Sequence, residues 1–228
     1  PYEDLINKWY LEKKDKNKEK SIPIKPITFW VENTTPYELR PIIKNAVLAW
    51  NIAFEEAGFL NAIEVKIQPD DADWEAGDIR YNVLRWTSSP NPPFGGYGPS
   101  FTNPRTGEIL GADIMLEWIY LTNRLRYSEI FENQENQKHD FCLNSLIKQE
   151  NRLFGKLATE ALDLNENEIS RLYEEDLYQL ILHEVGHTLG LNHNFAASTL
   201  HNNSDIHNTE KTYKEGLSSS VMDYHALN

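Results

Sequence analysis

Apolar and polar side chains alternate over Ile27, Phe29 and Val31, with Thr28, Trp30 and Glu32 between them, so a first strand with one buried face is expected there. Thr35, Pro36 and Glu38 follow with the pattern of a capping box and a first-turn proline. Ile42, Ile43, Ala46, Val47, Trp50, Ala53, Phe54 and Ala57 then recur at helical spacing until Gly58 stops them, with Pro41 kinking or delaying the start. Ile63, Val65 and Ile67 alternate as a second strand, and Asp78 to Trp86 reads as a third. Strand, helix and strand in succession imply a parallel crossover. A Pro- and Gly-rich stretch from Ser89 to Gly98 leads into Tyr97, Gly98, Pro99, Ser100 and Phe101, then the turn Asn103 to Gly107, then Ile109 to Leu116. That is a hairpin signal. Pro99 has no N–H to give a neighbouring strand, so the first arm belongs at a sheet edge and the more apolar second arm inside.

Residues from about 117 to 170 are polar, with leucines at helical spacing, and read as a helical insertion. Ser170 precedes a longer helical pattern. Glu174, Glu175 and Asp176 suit the positive end of the helix dipole, while Leu177, Leu180, Ile181 and Val185 face a core. The first 21 residues end in the charge-dense run Lys13 to Lys20, which reads as a solvated arm or linker, with one domain from about Ile22 to Asn228. No internal repeat is visible.

Composition narrows the function classes. The chain has 228 residues, 40% of them hydrophobic and 25% charged, with 6 Trp, 11 Tyr and 9 Phe, enough to build a substantial core. Lys and Arg number 22 against 35 Asp and Glu, a net charge of −13, the wrong sign for a partner made of phosphates. Nucleic acid is not an expected partner. No stretch approaches the roughly 20 apolar residues of a membrane span. The sequence starts at Pro1, as a processed protein or excised domain would. Cys142 is the single cysteine and cannot pair within the chain; a buried free thiol is its expected state. Asp70, Asp71 and Asp73 lack the ligand spacing of a calcium loop and read as a solvated turn.

The chemistry concentrates in one helix. His183 and His187 stand one turn apart on the same face, close enough to ligate one ion. Gly190 can take the left-handed conformation that ends the helix, and the returning chain then brings His193 to the same ion. Three neutral imidazoles suit zinc, and three protein ligands with an open fourth position mark a catalytic site. Zinc lowers the pKa of a water in that position from 15.7 to roughly 7. Glu184, about 100° around the helix from His183, is placed to act as general base on that water. His139, His201, His207 and His225 belong to no ligand-spaced pair and are expected at the surface.

His183 to His193 is similar to the long zinc signature of the metzincin clan of metalloendopeptidases, and Ser220 to Tyr224 resembles that clan's Met-turn. The resemblance implies an α/β fold: a mixed five-stranded twisted sheet with a backing helix and a zinc-binding helix, then a small irregular C-terminal subdomain carrying the Met-turn. It implies one zinc ion per chain on His183, His187 and His193, with Met222 as an apolar floor beneath it. Tyr224 stands where the astacin and serralysin branches carry a tyrosine that ligates zinc or assists the oxyanion; a packed aromatic that never reaches the metal is the alternative. Asn194 follows the last histidine in place of the Glu or Pro of those branches.

The stretches Asp78 to Trp86, Pro104 to Ile109 and His183 to Ser198 are most similar to bacterial zinc-dependent metalloproteases with a matrixin-like catalytic region. That resemblance implies a secreted, periplasmic or cell-surface enzyme with peptide or protein substrates, its C-terminal part truncated here. It also implies that Tyr97, Gly98, Pro99, Ser100 and Phe101 line the cleft, where an extended peptide adds as an antiparallel strand. The function expected is zinc-dependent endopeptidase. A zinc-containing module that holds peptides without cleaving them is the alternative, and retention of Glu184 speaks against it.

Overall fold

The computed structural model describes residues 5–89, 95–117 and 166–224. The insertion expected between about 117 and 170 lies almost wholly outside them, as do Cys142, His139 and His225. Strand β1 (Ile27–Val31) falls where alternation places it, with Ile27, Phe29 and Val31 buried. Helix α1 (Arg40–Ala49) begins later than the capping pattern suggests, and its N-cap Leu39 supplies no side-chain cap. The reason is Pro41. Inside a helix starting near Thr35 its ring would clash with the carbonyl of Tyr37, so the chain turns first and Pro41 takes a first-turn position. The helical run breaks at Trp50 and resumes as α2 (Asn51–Glu56); Gly58, at φ +90°, then reverses the chain.

Strand β2 (Ile63–Ile67) lies parallel to β1 in the register Ile27 to Ile63, so the expected crossover is present. Strand β3 (Asn82–Thr87) is shorter than the alternation suggests, because residues 78–81 are spent on a turn closed by the Tyr81 N–H on the Asp78 carbonyl. The hairpin contributes β4 (Gly96–Tyr97), β5 (Ser100–Thr102) and β6 (Ile109–Glu117). The sheet runs β2-β1-β3-β6-β4, with β5 also on β6, and the first four strands are parallel. Among the described residues six strands stand where five are expected, because Gly98 and Pro99 split the outer arm in two, each piece antiparallel to β6.

One face of the sheet carries the core. Phe29, Val31, Leu84, Ile114 and Leu116 meet Ile43, Ala46 and Val47 of α1 and Leu177, Leu180, Ile181 and Val185 of α3 (Glu166–Thr188). Each such fully buried aliphatic or aromatic side chain contributes about 1.5–3 kcal/mol relative to exposure. On the other face Trp74 stacks on Tyr81 at 3.8 Å and both meet Trp30 edge-on, closing a smaller cluster. Helix α3 is helical from Glu166, before the Ser170 expected to precede it.

The N-terminal stretch corrects the reading of a free arm. Lys16 to Lys20 are exposed, but Trp9 and Leu11 pack on the main core, and Lys8, Lys13 and Ser21 bridge to Glu108, Pro23 and Phe59. The charge-dense run hides the apolar residues before it, and burying Trp9 and Leu11 is what docks the segment. Among the described residues no helix is long and apolar enough to cross a membrane.

Beyond α3 the chain forms a 3-10 helix (Phe195–Leu200) and α4 (Thr209–Glu215), whose N-cap Asn208 accepts from the Lys211 N–H at 3.1 Å. His201 departs from the surface expectation: it is buried, with Nε2 bonded to the Gly216 carbonyl at 2.8 Å, tying the two ends of this irregular region.

Candidate metal centre

Helix α3 is buried on nearly every side at its C-terminal end, where His183, Glu184, Val185 and Thr188 all lie inside. Gly190, at φ +94°, ends it in the left-handed conformation, and the Leu191 N–H returns to the Gly186 carbonyl at 3.1 Å. The chain thus doubles back. His193 arrives against the first two histidines, and ligand-capable atoms of His183, His187 and His193 all lie within 4.8 Å of one another.

Backbone carbonyls orient two of the rings. His183 Nδ1 bonds the Val221 carbonyl at 2.7 Å and His187 Nδ1 the Leu191 carbonyl at 2.9 Å. A carbonyl only accepts, so each Nδ1 carries the proton and each Nε2 keeps its lone pair, the tautomer a metal ligand needs. The Nε2 atoms of His187 and His193 face each other at 3.1 Å. Burial lowers the pKa of His187, and burial together with the neighbouring His187 lowers that of His193, so both favour the neutral form that can ligate. The donor set fits zinc.

Glu184 is wholly buried, next to His183 on α3 and beneath the edge strand. Its carboxylate fits there because Gly96 has no side chain: a Cβ at that position would stand 3.2 Å from Glu184 Cγ and 3.3 Å from Oε1. Gly98 is tighter still, with 2.5 Å between such a Cβ and the Glu184 carbonyl. The Gly-Gly-Tyr-Gly run from residue 95 to 98 is the signal in the sequence for this close approach of strand to helix. Tyr97 pairs with Met115 at the end of the described strand order, and Gly98 and Pro99 separate it from Ser100 and Phe101 on β5.

Met222 is buried, and its sulfur occupies the space a side chain on Gly186 would need, between the two helical histidines. The Asn194 N–H bonds the Met222 carbonyl at 2.9 Å, so the stretch after His193 and the stretch around Met222 hold each other. Tyr224 brings its hydroxyl 2.7 Å from His193 Nε2. Three residues near the site escape a reading of spacing alone. Phe195 stacks on His193 at 5.4 Å and stands edge-on to Tyr224 at 5.1 Å; Trp50 donates its indole N–H to the Leu182 carbonyl at 3.1 Å; Trp9 donates to the Thr188 carbonyl at 2.9 Å. Each is distant from α3 in sequence or lies outside the helical motif.

No curated protein and no solved structure matches the chain. A family model for DUF4953, described as Met-zincin, matches residues 165–228, which contain all three histidines, Glu184, Met222 and Tyr224. That match and the three-histidine cluster together support a metal centre of the metzincin clan in this part of the chain.

Proposed function

We propose that the chain is a zinc-dependent endopeptidase acting on extended peptide segments outside the cytoplasm. The observation that carries the catalytic reading is the three-imidazole cluster with a buried carboxylate on the residue next to its first member. The resemblance to extracytoplasmic bacterial metalloproteases supports the location. His183, His187 and His193 would hold a zinc ion, which would supply Lewis-acid polarisation of a carbonyl and lower the pKa of water toward 7.

The protein's own groups do the rest. Glu184 accepts the proton of the attacking water and delivers it to the departing amine. Keeping a carboxylate out of water is costly, and this proton transfer gives that cost a use. The Tyr224 hydroxyl donates to the oxygen on which negative charge develops. Met222 forms the apolar floor of a Met-turn, filling the gap at Gly186 on the helix that carries His183 and His187.

Substrate is placed alongside residues 97–101, on the outer arm of the hairpin that ends the described strand order, as a further antiparallel strand. A peptide-like inhibitor is expected to run antiparallel to residues 97–101 in a crystal of the complex; a parallel course, or pairing with Ile109–Leu116, would overturn this placement. For the activity itself, the protein with one equivalent of zinc is incubated with a complex peptide mixture and the products are mapped by mass spectrometry. Internal cleavages that vanish with a chelator and return with zinc are expected. Zinc-loaded protein that binds peptides and leaves them intact would sink the enzyme and favour the binding module.

A further inference from the structure

The bend between the second and third histidines is held from outside by a segment far away in sequence. Trp9 Nε1 donates to the Thr188 carbonyl at 2.9 Å, across a separation of 179 residues, and Thr188 is the last residue of α3. Its carbonyl is one of those a helix end leaves without a partner in the helix. The Asn7 carbonyl lies where a side chain on Gly190 would stand, so the segment's backbone rests directly on the left-handed residue of the bend. Lys8 anchors the other side: its N–H bonds the Gly107 carbonyl at 3.0 Å, and its carbonyl accepts from the Ile109 N–H at 2.9 Å.

Leu5 to Leu11 thus joins the hairpin turn to the end of the metal-bearing helix. Three residues further along the bend, the Leu191 carbonyl orients His187 through Nδ1. We propose that this segment is a clamp on the metal centre, with Trp9 as the positioning residue that fixes the Thr188–Leu191 bend and through it His187 and His193. The clamp rests on the reading of the three histidines as a zinc site. Groups that orient metal ligands from behind typically change metal affinity 10- to 100-fold when altered.

Zinc affinity in competition with a chromophoric chelator tests this, together with the visible absorption of the cobalt-loaded protein, which reports ligand geometry. Trp9→Phe keeps an aromatic ring and loses the N–H; Trp9→Ala loses both. Ile63→Ala, in β2 at the far edge of the sheet, serves as a control for general destabilisation. Zinc binding about tenfold weaker in Trp9→Phe and up to about 100-fold weaker in Trp9→Ala is expected, with an altered cobalt spectrum in both. The Ile63→Ala protein should melt earlier yet keep wild-type zinc affinity and spectrum. Trp9 variants that change zinc affinity and spectrum no more than this control would overturn the clamp while leaving the zinc site standing. If Trp9→Ala does not fold, Trp9→Phe decides. A wild-type chain that binds no zinc would remove the zinc reading and the clamp with it.

Discussion

Glu184→Gln is expected to retain one zinc per chain by elemental analysis and to lower peptide turnover by about 10²- to 10⁴-fold, the usual contribution of general acid–base catalysis. The substitution is nearly isosteric, which matters because the side chain lies against Gly96 and has no space in which to grow. An amide cannot take a proton from water. The three imidazoles are untouched, so metal content separates a lost base from a lost site. Metal-loaded Glu184→Gln protein with turnover within about tenfold of wild type would remove Glu184 from the proton transfer and leave its burial unexplained.

Tyr224→Phe should lower kcat by about 10²- to 10³-fold with little change in KM, the pattern of losing one preorganised donor to a developing oxyanion. The ring is held by contacts the substitution preserves, with centroids 4.6 Å from His193 and 5.1 Å from Phe195. The hydroxyl is what changes, and it lies 2.7 Å from His193 Nε2. One lone pair cannot both accept that hydrogen bond and ligate a metal, so an enzyme loaded through His193 frees the hydroxyl for another acceptor. Steady-state kinetics on a single defined peptide decide the matter. A kcat within a factor of about two would return Tyr224 to the role of a packed aromatic.

How much of this could be read in advance depends on how local the determining physics is. Strand β1 is legible because one buried face writes a period of two into five residues; β2 is legible from its alternating sequence, although burial there falls from Ile63 to the exposed Ile67. The histidine spacing was legible for the same reason: one helical turn and one glycine bring the three rings together. The start of α1 misled because two local signals competed, a capping pattern at Thr35 and a proline at 41, and the steric one prevailed. The docking of Trp9 was not legible, since its partner lies on the far side of the sequence and a lysine-rich run follows it. The roles given to Met222 and Tyr224 came from resemblance alone. The structure adds geometry that spacing could not contain: a sulfur against Gly186 and a hydroxyl beside His193.

The bond between Trp9 and Thr188 also bears on the order in which the protein assembles. Closing a flexible loop of 179 residues costs about 4–5 kcal/mol of chain entropy, against about 1 kcal/mol returned by a single hydrogen bond. That contact therefore forms only after the intervening strands have folded and shortened the loop. During synthesis from the N-terminus, β1, β2, β3 and β6 leave the ribosome before any of the three histidines, and Tyr224 follows last. A nascent chain accordingly carries the strands of the sheet before His183, His187 and His193 exist, and the three-imidazole cluster can close only after translation has passed His193.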